Sequence, residues 1–380
     1  WGRSDGDLEP VEIIGTTGAY RDILVLDVDL DSDLDVLAID GFHARLRLLV
    51  NQGARQFGAP VDWVDVGLSP SALLAADLDE DLDPDVVVQG TGAQGSEVVA
   101  LENSPSGFVE RSRGTIPFSS AELRAAQASG SPLVDVLAYQ SGATDITCLT
   151  NVGGLSLTSE PPRGMPFAIR DLTARPESDG GGFVFLGAVG SGPETRGRID
   201  LFEPGPTFAL GTLSTGEVTD AAMSTIESID LVGDSSIDYL VVSEIRETVH
   251  VFVQRSDPGF ELPVTGTVSA SVITRWRLGD VTGDGFDDLV TFDFNTTTST
   301  EAVTCFPATG LGSFGAPVQG PMTPVGTFVL QDFIVRDLDH DGHADIAWFM
   351  PSGGLSVARG EAAGTFTDLR LVPLDSFTPA

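Results

Sequence analysis

Four nine-residue segments constrain what this 380-residue chain can become. They read DVDLDSDLD at 27–35, DLDEDLDPD at 77–85, DVTGDGFDD at 280–288 and DLDHDGHAD at 337–345, and each runs straight into a short apolar stretch. Aspartate holds positions 1, 5 and 9 in all four, and position 3 in all but the third, where Thr282 stands. Alternating carboxylates closing on a final aspartate make an oxygen cage for a hard cation. Their return along the chain marks a repeat protein.

Position 9 sets the register, because an apolar strand begins directly after it. The anchors fall at Asp35, Asp85, Asp135, near Gly182, Asp238, Asp288 and Asp345, at intervals of 50, 50, about 47, about 56, 50 and 57 residues. Seven units follow. Each has a strand after the anchor (Val36–Ile39, Val86–Gln89 and Ile346–Phe349 are examples) and a second strand such as Leu46–Val50 or Val249–Val253. A Gly-rich turn then leads into a segment headed by Phe57, Phe108, Phe260, Phe314 or Phe366. A further strand precedes each loop, as at Ile23–Leu26 and Phe333–Val335. Four short strands per unit, with no helix-period segment between units, predict an all-β chain. The architecture expected is a seven-bladed β-propeller of four-stranded antiparallel blades, forming one domain over 1–380.

Two places resist the pattern. Ser119–Ala128 has helix-forming composition and a Ser119 to Glu122 spacing like a capping box, but the register calls for a strand there, and the register prevails. In unit 4, Asp171–Gly182 is too long for the nine-residue loop. Val11–Gly15 and Phe366–Val372 both read as outermost strands, one of them surplus.

Calcium takes six to eight oxygens in tolerant geometry, so four carboxylates favour it over magnesium or zinc. Side-chain ligands are expected from Asp27, Asp29, Asp31 and Asp35 in unit 1, and from Asp77, Asp79, Asp81 and Asp85 in unit 2. Unit 6 offers Asp280, Thr282, Asp284 and Asp288, and unit 7 offers Asp337, Asp339, Asp341 and Asp345. Position 7 would add its backbone carbonyl, from Asp33, Asp83, Phe286 and His343. Unit 5 is a weaker fifth candidate with Asp230, Asp234 and Asp238, because Val232 takes position 3. Unit 3, with Gln127, Ser129 and Ser131, is expected to hold no ion. An EF-hand is excluded: it needs Glu at position 12, where this chain has Ala38, Val88, Thr291 and Trp348. At position 6, Gly285 and Gly342 suit a left-handed turn, whereas Ser32 and Leu82 would cost about 1–2 kcal/mol there.

These loops, together with FGAP at 57–60 and again at 314–317, resemble FG-GAP repeats. Such repeats build the integrin α-subunit propeller and the related VCBS-type and fungal lectin propellers. The resemblance runs from about Val11 to Val372. It implies calcium in the loops joining the two inner strands of several blades, with ligands on the opposite face or between blades.

A net charge of −36 argues against nucleic acid and anionic membranes as partners, and suits cation binding. All 20 basic residues are arginine. No run of 18 apolar residues is present, so no membrane insertion is expected. No secretory leader stands at Trp1, and any such signal is expected to lie outside this sequence. Cys148 and Cys305 fall at equivalent strand positions three units apart and read as buried free thiols. Of the histidines, His340 and His343 lie at loop positions 4 and 7, facing away from an ion, and His43 and His250 form no zinc-spaced pair. No nucleophile elbow or phosphate loop is present, so an enzyme is not expected. The 4 tryptophans and 3 tyrosines are few for sugar-stacking platforms, and Trp63, Trp276 and Trp348 read as packing. Arg45, Arg196, Arg198 and Arg246, on turns opposite the metal loops, read as a solvated surface able to meet an acidic ligand. The expectation is a secreted or cell-surface, calcium-stabilised binding or adhesion module for a protein or cell-surface ligand, a monomer or part of a larger chain. A glycan-binding lectin, or an accessory domain of a polysaccharide-processing enzyme, is the alternative.

Overall fold

The computed structural model describes residues 20–31, 34–40, 43, 45–52, 58–59, 61–64, 66–104, 107–119, 121–174, 183–189, 196–202, 212–218, 225–229, 231, 237–243, 248–253, 264–267, 272–295, 300–324, 333–338, 341–350 and 354–373. Among these the chain forms seven antiparallel sheets, each a meander of strands in sequence order. It divides into two compact units, one over Ile13–Thr215 and the other taking in Gly216–Ala380.

The first unit carries sheets 1 to 4. Sheet 1 is Tyr20–Leu26, Asp35–Asp40, Arg45–Leu49 and Val61–Val64, and sheet 2 is Ser69–Ala76, Asp85–Gly92, Gly95–Glu102 and Val109–Thr115. Sheet 3 is Glu122–Ala126, Asp135–Tyr139 and Asp145–Asn151, with a fourth edge split into Leu157–Ser159 and Arg163–Gly164. Sheet 4 is Ala168–Ala174, Phe183–Val189, Arg196–Phe202 and Thr212–Val218. In the second unit, sheet 5 is Thr225–Ile229, Asp238–Ser243, Thr248–Phe252 and Val264–Thr267. Sheet 6 is Val272–Gly279, Asp288–Asn295, Thr300–Phe306 and Val318–Pro324, and sheet 7 is Phe333–Arg336, Asp345–Met350, Gly354–Gly360 and Phe366–Pro373.

The anchor aspartate opens the second strand of six sheets, as the register predicts. That strand is buried on both faces: every residue of Asp135–Tyr139 is buried, which explains its continuous rather than alternating apolar run. Outer strands are the opposite case, and Val109–Thr115 has no buried residue. Within each unit, successive sheets bury facing side chains against each other. Leu37 and Ile39 of sheet 1 meet Val86 and Val88 of sheet 2. Val87 on the other face of sheet 2 meets Val136 and Ala138 of sheet 3, and Leu137 and Tyr139 meet Ile169 and Leu172 of sheet 4. In the second unit, Leu240 and Val242 pack on Trp276 and Leu289, and Val290 and Phe292 pack on Ile346 and Trp348. Trp348 meets Phe292 edge-on at 5.5 Å, and the Trp276 indole donates to Thr225 across the sheet 5–6 junction at 3.0 Å. Both are packing residues, as expected.

The repeat phenylalanines serve the same seams: Phe108, Phe314 and Phe366 all join inter-sheet clusters, while Phe57 and Phe260 lie outside the described residues. At the second FGAP segment, Phe314 bridges back to Ala308 and the Gly315 N–H donates to the Pro307 carbonyl at 2.7 Å, which turns the chain into the outer strand.

The stretch with helix-forming composition is a strand, Glu122–Ala126, paired in register from Glu122 against Tyr139 to Ala126 against Asp135. Burial of Leu123 and Ala126 outweighs local propensity there. Of the two outer-strand candidates, Phe366–Pro373 completes sheet 7 against Gly354–Gly360, and Val11–Gly15 lies outside the described residues. The irregular loop of unit 4 lies outside them from 175 to 182.

Cys148 and Cys305 are both buried free thiols. Burial, then the charge of Asp135, pushes the Cys148 thiol up to about 12, and burial likewise raises Cys305. Thiolate is the reactive form. Native protein at pH 8 is therefore expected to leave a thiol reagent such as DTNB unconsumed, and the unreduced, urea-unfolded chain to consume two equivalents. Rapid reaction of the native protein would contradict this burial.

Candidate metal centres

The loops are built around the anchor carboxylate. In loop 1, Asp35 accepts the N–H of Val28 at position 2 through Oδ2 (2.9 Å) and the N–H of Asn51, just past the third strand, through Oδ1 (2.7 Å). Asp85 holds Leu78 and Asn103 the same way, both at 3.0 Å. Asp288 holds Val281, Thr282 and Ala308 at 2.8–2.9 Å, and Asp345 holds Leu338 and Gly360 at 2.9 and 3.0 Å. Asp238 accepts from Leu231 at 3.1 Å. Loop 3 has lost the acidic ladder yet keeps the clamp, with Asp135 accepting from Ala128, Ser129 and Asn151 at 2.7–2.9 Å. The position-9 aspartate is therefore a fold element first, and any ligand role is added to that.

Position 1 shapes the curl. Asp280 Oδ1 accepts from the N–H groups of Gly283 and Asp284, and its Oδ2 from Gly285, at 2.7–3.0 Å. Asp77 does the same for Glu80 and Leu82. Such a curl places left-handed residues at position 4 as well as position 6: Leu30, Glu80 and Gly283 at the former, and Leu82, Gly285 and Gly342 at the latter, with φ between 61° and 91°. In the sequence only position 6 stands out, through Gly285 and Gly342. Loop 3 replaces the acid at position 1 with an amide staple, Gln127 Nε2 to the Pro132 carbonyl at 2.7 Å, and Pro132 at position 6 cannot turn left-handed.

Within this frame Asp27, Asp29 and Asp35 bring carboxylate oxygens within 4.8 Å of one another, and so do Asp77, Asp79 and Asp85. Among the described residues these are the two acidic triads so tightly drawn together. Loop 6 has Thr282 in place of the third acid, and Asp339 of loop 7 lies outside the described residues, as do Asp33, Asp230 and Asp234. Asp31 and Asp81 stand at the exposed position 5, and Asp284, Phe286, Asp337, Asp341, His343 and Asp345 occupy the loop positions expected of them.

Loop 2 contains a group that sequence reasoning missed. Asp83 was expected to offer only its backbone carbonyl, but its carboxylate stands among Asp81, Asp79 and Asp77. Asp79 Oδ1 and Asp83 Oδ1 are buried without a hydrogen-bond partner. Buried anionic oxygens without donors, in a set made only of oxygens, fit a hard cation. The acid at position 7 was the available signal.

Electrostatics agree. Desolvation, then Asp35, Asp31 and Asp27, raises Asp29 above the usual carboxylate range. Desolvation, then Asp81, pushes Asp83 up to about 6. Desolvation lifts Asp85 to about 7 against the pull of its two backbone donors.

His343 turns away from its own loop, its Nδ1 lying 3.0 Å from the Val281 carbonyl of loop 6. His43 pairs with the buried Asp40 at 2.7 Å. Of the arginines on the opposite turns, Arg198 pairs with Asp200 at 2.7 Å and lies over the Phe167 ring. Arg45 is exposed, and Arg246 lies outside the described residues.

No protein family matches the chain, and no curated protein does. Solved structures do. BBS1N, in a complex with ARL6DN, is similar with a TM-score of 0.50 at 12% identity, over 90% of this chain and 92% of that one. The Dos1 propeller aligns at TM-score 0.48 and 13% identity, over 90% of this chain and 76% of that one. An Agrocybe aegerita lectin that recognises non-reducing terminal N-acetylglucosamine aligns at 0.49 and 16% identity, over 93% and 80%. At such identities the likeness is one of fold, and with the repeated four-stranded sheets it makes the chain a β-propeller.

Asp135→Ala strands three buried N–H groups and is expected to cost roughly 2–4 kcal/mol in urea unfolding, equally with calcium or EGTA. A penalty that grows with calcium would make Asp135 a ligand. The raised acids set a pH dependence. Their folded values near 6 and 7 exceed the unfolded value near 4, so the folded state binds more protons and loses stability as pH rises through that window. In EGTA the midpoint of unfolding should therefore be higher at pH 5.5 than at pH 8, and calcium should level the two.

Proposed function

We propose that this chain is a calcium-stabilised propeller of the FG-GAP and VCBS type, acting outside the cell as a binding or adhesion module for a protein or cell-surface ligand. The observation that carries the reading is the convergence of Asp27, Asp29 and Asp35, and of Asp77, Asp79 and Asp85, with unpartnered oxygens on Asp79 and Asp83. Four cages would hold calcium, in loops 1, 2, 6 and 7, with Asp230, Asp234 and Asp238 as a weaker fifth. Bound calcium supplies the positive charge that offsets repulsion among these carboxylates.

The chain's own residues do the rest. In loop 6, position 1 curls the loop by accepting from its backbone N–H groups, and position 9 ties that loop to the end of the third strand and so holds the inner strands of sheet 6 in register. Calcium sites of extracellular modules work at about 0.1–1 mM, a concentration range that suits loops carrying strain and crowded charge. The seven sheets are read as the seven blades of one propeller. Its ligand would engage the turns between second and third strands, at the ends of the sheets away from the metal loops. No catalytic role is assigned.

Calorimetric titration of metal-free protein with calcium is expected to give about four sites, and EGTA to lower the melting temperature by many degrees. Melting curves that overlay with and without EGTA would sink the reading. Glycan and extracellular-protein arrays then divide the ligand classes. Protein hits that survive mutation of inter-blade residues support the module proposed here, and glycan hits abolished by them would replace it with a lectin.

A further inference from the structure

Loops 6 and 7 are joined in a way that the cages themselves do not require. The backbone N–H of Ala344, between positions 7 and 9 of loop 7, donates to the carbonyl of Asp280, position 1 of loop 6, at 2.7 Å. The His343 imidazole reaches the Val281 carbonyl at 3.0 Å, and since a carbonyl only accepts, Nδ1 carries the proton. Val281 in turn gives its N–H to Asp288 Oδ2 at 2.9 Å. An unbroken path thus runs from the position-9 carboxylate of loop 6, through Val281 and the imidazole, to position 7 of loop 7.

The fit is close. A Cβ on Gly283 would stand 2.6 Å from His343 Cε1 and 2.9 Å from the Gly342 carbonyl, so position 4 of loop 6 is glycine for its neighbour's sake as well as for its φ of +73°. Sheet 3 holds the equivalent carbonyl of loop 2 with Asn151 Nδ2, at 2.6 Å from the Leu78 oxygen. That latch ends on the third strand of sheet 3, whose own loop has no acidic ladder. At the 6–7 junction both partners are acidic loops.

We propose that loops 6 and 7 take up calcium as a coupled pair, with the His343 imidazole and the Asp280–Ala344 backbone bond carrying closure of one loop to the other. This rests on the reading that those loops bind calcium. Ordering either loop fixes Val281, Asp280 and His343 together, so the second ion meets a partner already shaped and less ordering entropy remains to be lost. Coupling of this kind is reciprocal between the two sites.

The test is native mass spectrometry of a calcium titration, on the full chain with loops 1 and 2 neutralised by Asp29→Asn, Asp31→Asn, Asp79→Asn and Asp81→Asn. Two independent sites leave roughly half or more of the molecules singly loaded at half-saturation, whereas about tenfold coupling leaves roughly a quarter. Depletion of the one-ion species, lost in His343→Ala and partly restored in His343→Gln, whose amide can still donate, is the expected result. Half or more singly loaded, unchanged in His343→Ala, overturns the coupling while leaving the calcium reading intact. If neither loop binds, that reading itself fails. Should the neutralised background not fold, the comparison moves to the otherwise wild-type chain. There the Hill slope of tryptophan fluorescence should fall in His343→Ala, and an equal slope overturns the proposal.

Discussion

A single buried carboxylate in each of six sheets organises this molecule. Asp35, Asp85, Asp135 and Asp288 are fully inaccessible to solvent, and Asp238 and Asp345 nearly so. An ionised group there must replace its hydration with donors. It finds them in the backbone N–H of loop position 2, and in five of the sheets also in a residue at or just past the end of the third strand. One side chain thereby ties the first loop, the second strand and the end of the third. Because side chains alternate along a strand, a slip of one residue would turn Leu37 and Ile39 away from sheet 2 and expose them. The clamp prevents that slip, so the inter-sheet cores depend on it.

This explains what the sequence reveals. An aspartate followed at once by a short apolar run is a strong and local signal, and it locates the second strand even at Asp135, where the other acids of the loop are gone. The same register correctly overrides the helix-forming composition of Glu122–Ala126. What stays hidden is whatever depends on neighbouring sheets or on curvature. Nothing near Asn151 in the chain announces that its amide will hold the Leu78 carbonyl 73 residues away. Position 4 of the loops goes unnoticed because its residues share no chemistry: Leu30, Glu80 and Gly283 are alike only in the sign of φ. Asp83 is missed because a repeat-based reading assigns position 7 to the backbone and never asks what an acid there would face.

The junction of sheets 3 and 4 adds charged groups to its packing. Tyr139 occupies the register held by Ile39, Val242 and Phe292 elsewhere, and its hydroxyl lies 2.9 Å from Asp171 and 3.0 Å from Glu122. One hydroxyl proton serves only one of these carboxylates at a time. Arg124 supplies the balancing charge, 3.1 Å from Asp171 and 5.9 Å over the Tyr139 ring. Burial and then Asp171 raise the tyrosine pKa, so it remains a neutral donor. The cost of breaking it lies at the buried end, Tyr139 and Asp171, since Arg124 and Glu122 keep more than a third of their side-chain surface in water.

Strain and charge are distributed unequally over the loops. Loop 6 has glycine at both left-handed positions, so its curl costs little in backbone energy. Loops 1 and 2 place Leu30, Glu80 and Leu82 there, at about 1–2 kcal/mol apiece, and Leu82 is also 92% exposed. The same two loops hold the tight carboxylate triads. Their curl is thus opposed twice, by backbone conformation and by charge, and only the clamp and the position-1 acid favour it when no cation neutralises them. Loop 6 carries fewer acids, needs less help, and leans on loop 7 through His343. Loops that look interchangeable in sequence therefore differ in what their curl costs in backbone conformation and in charge repulsion.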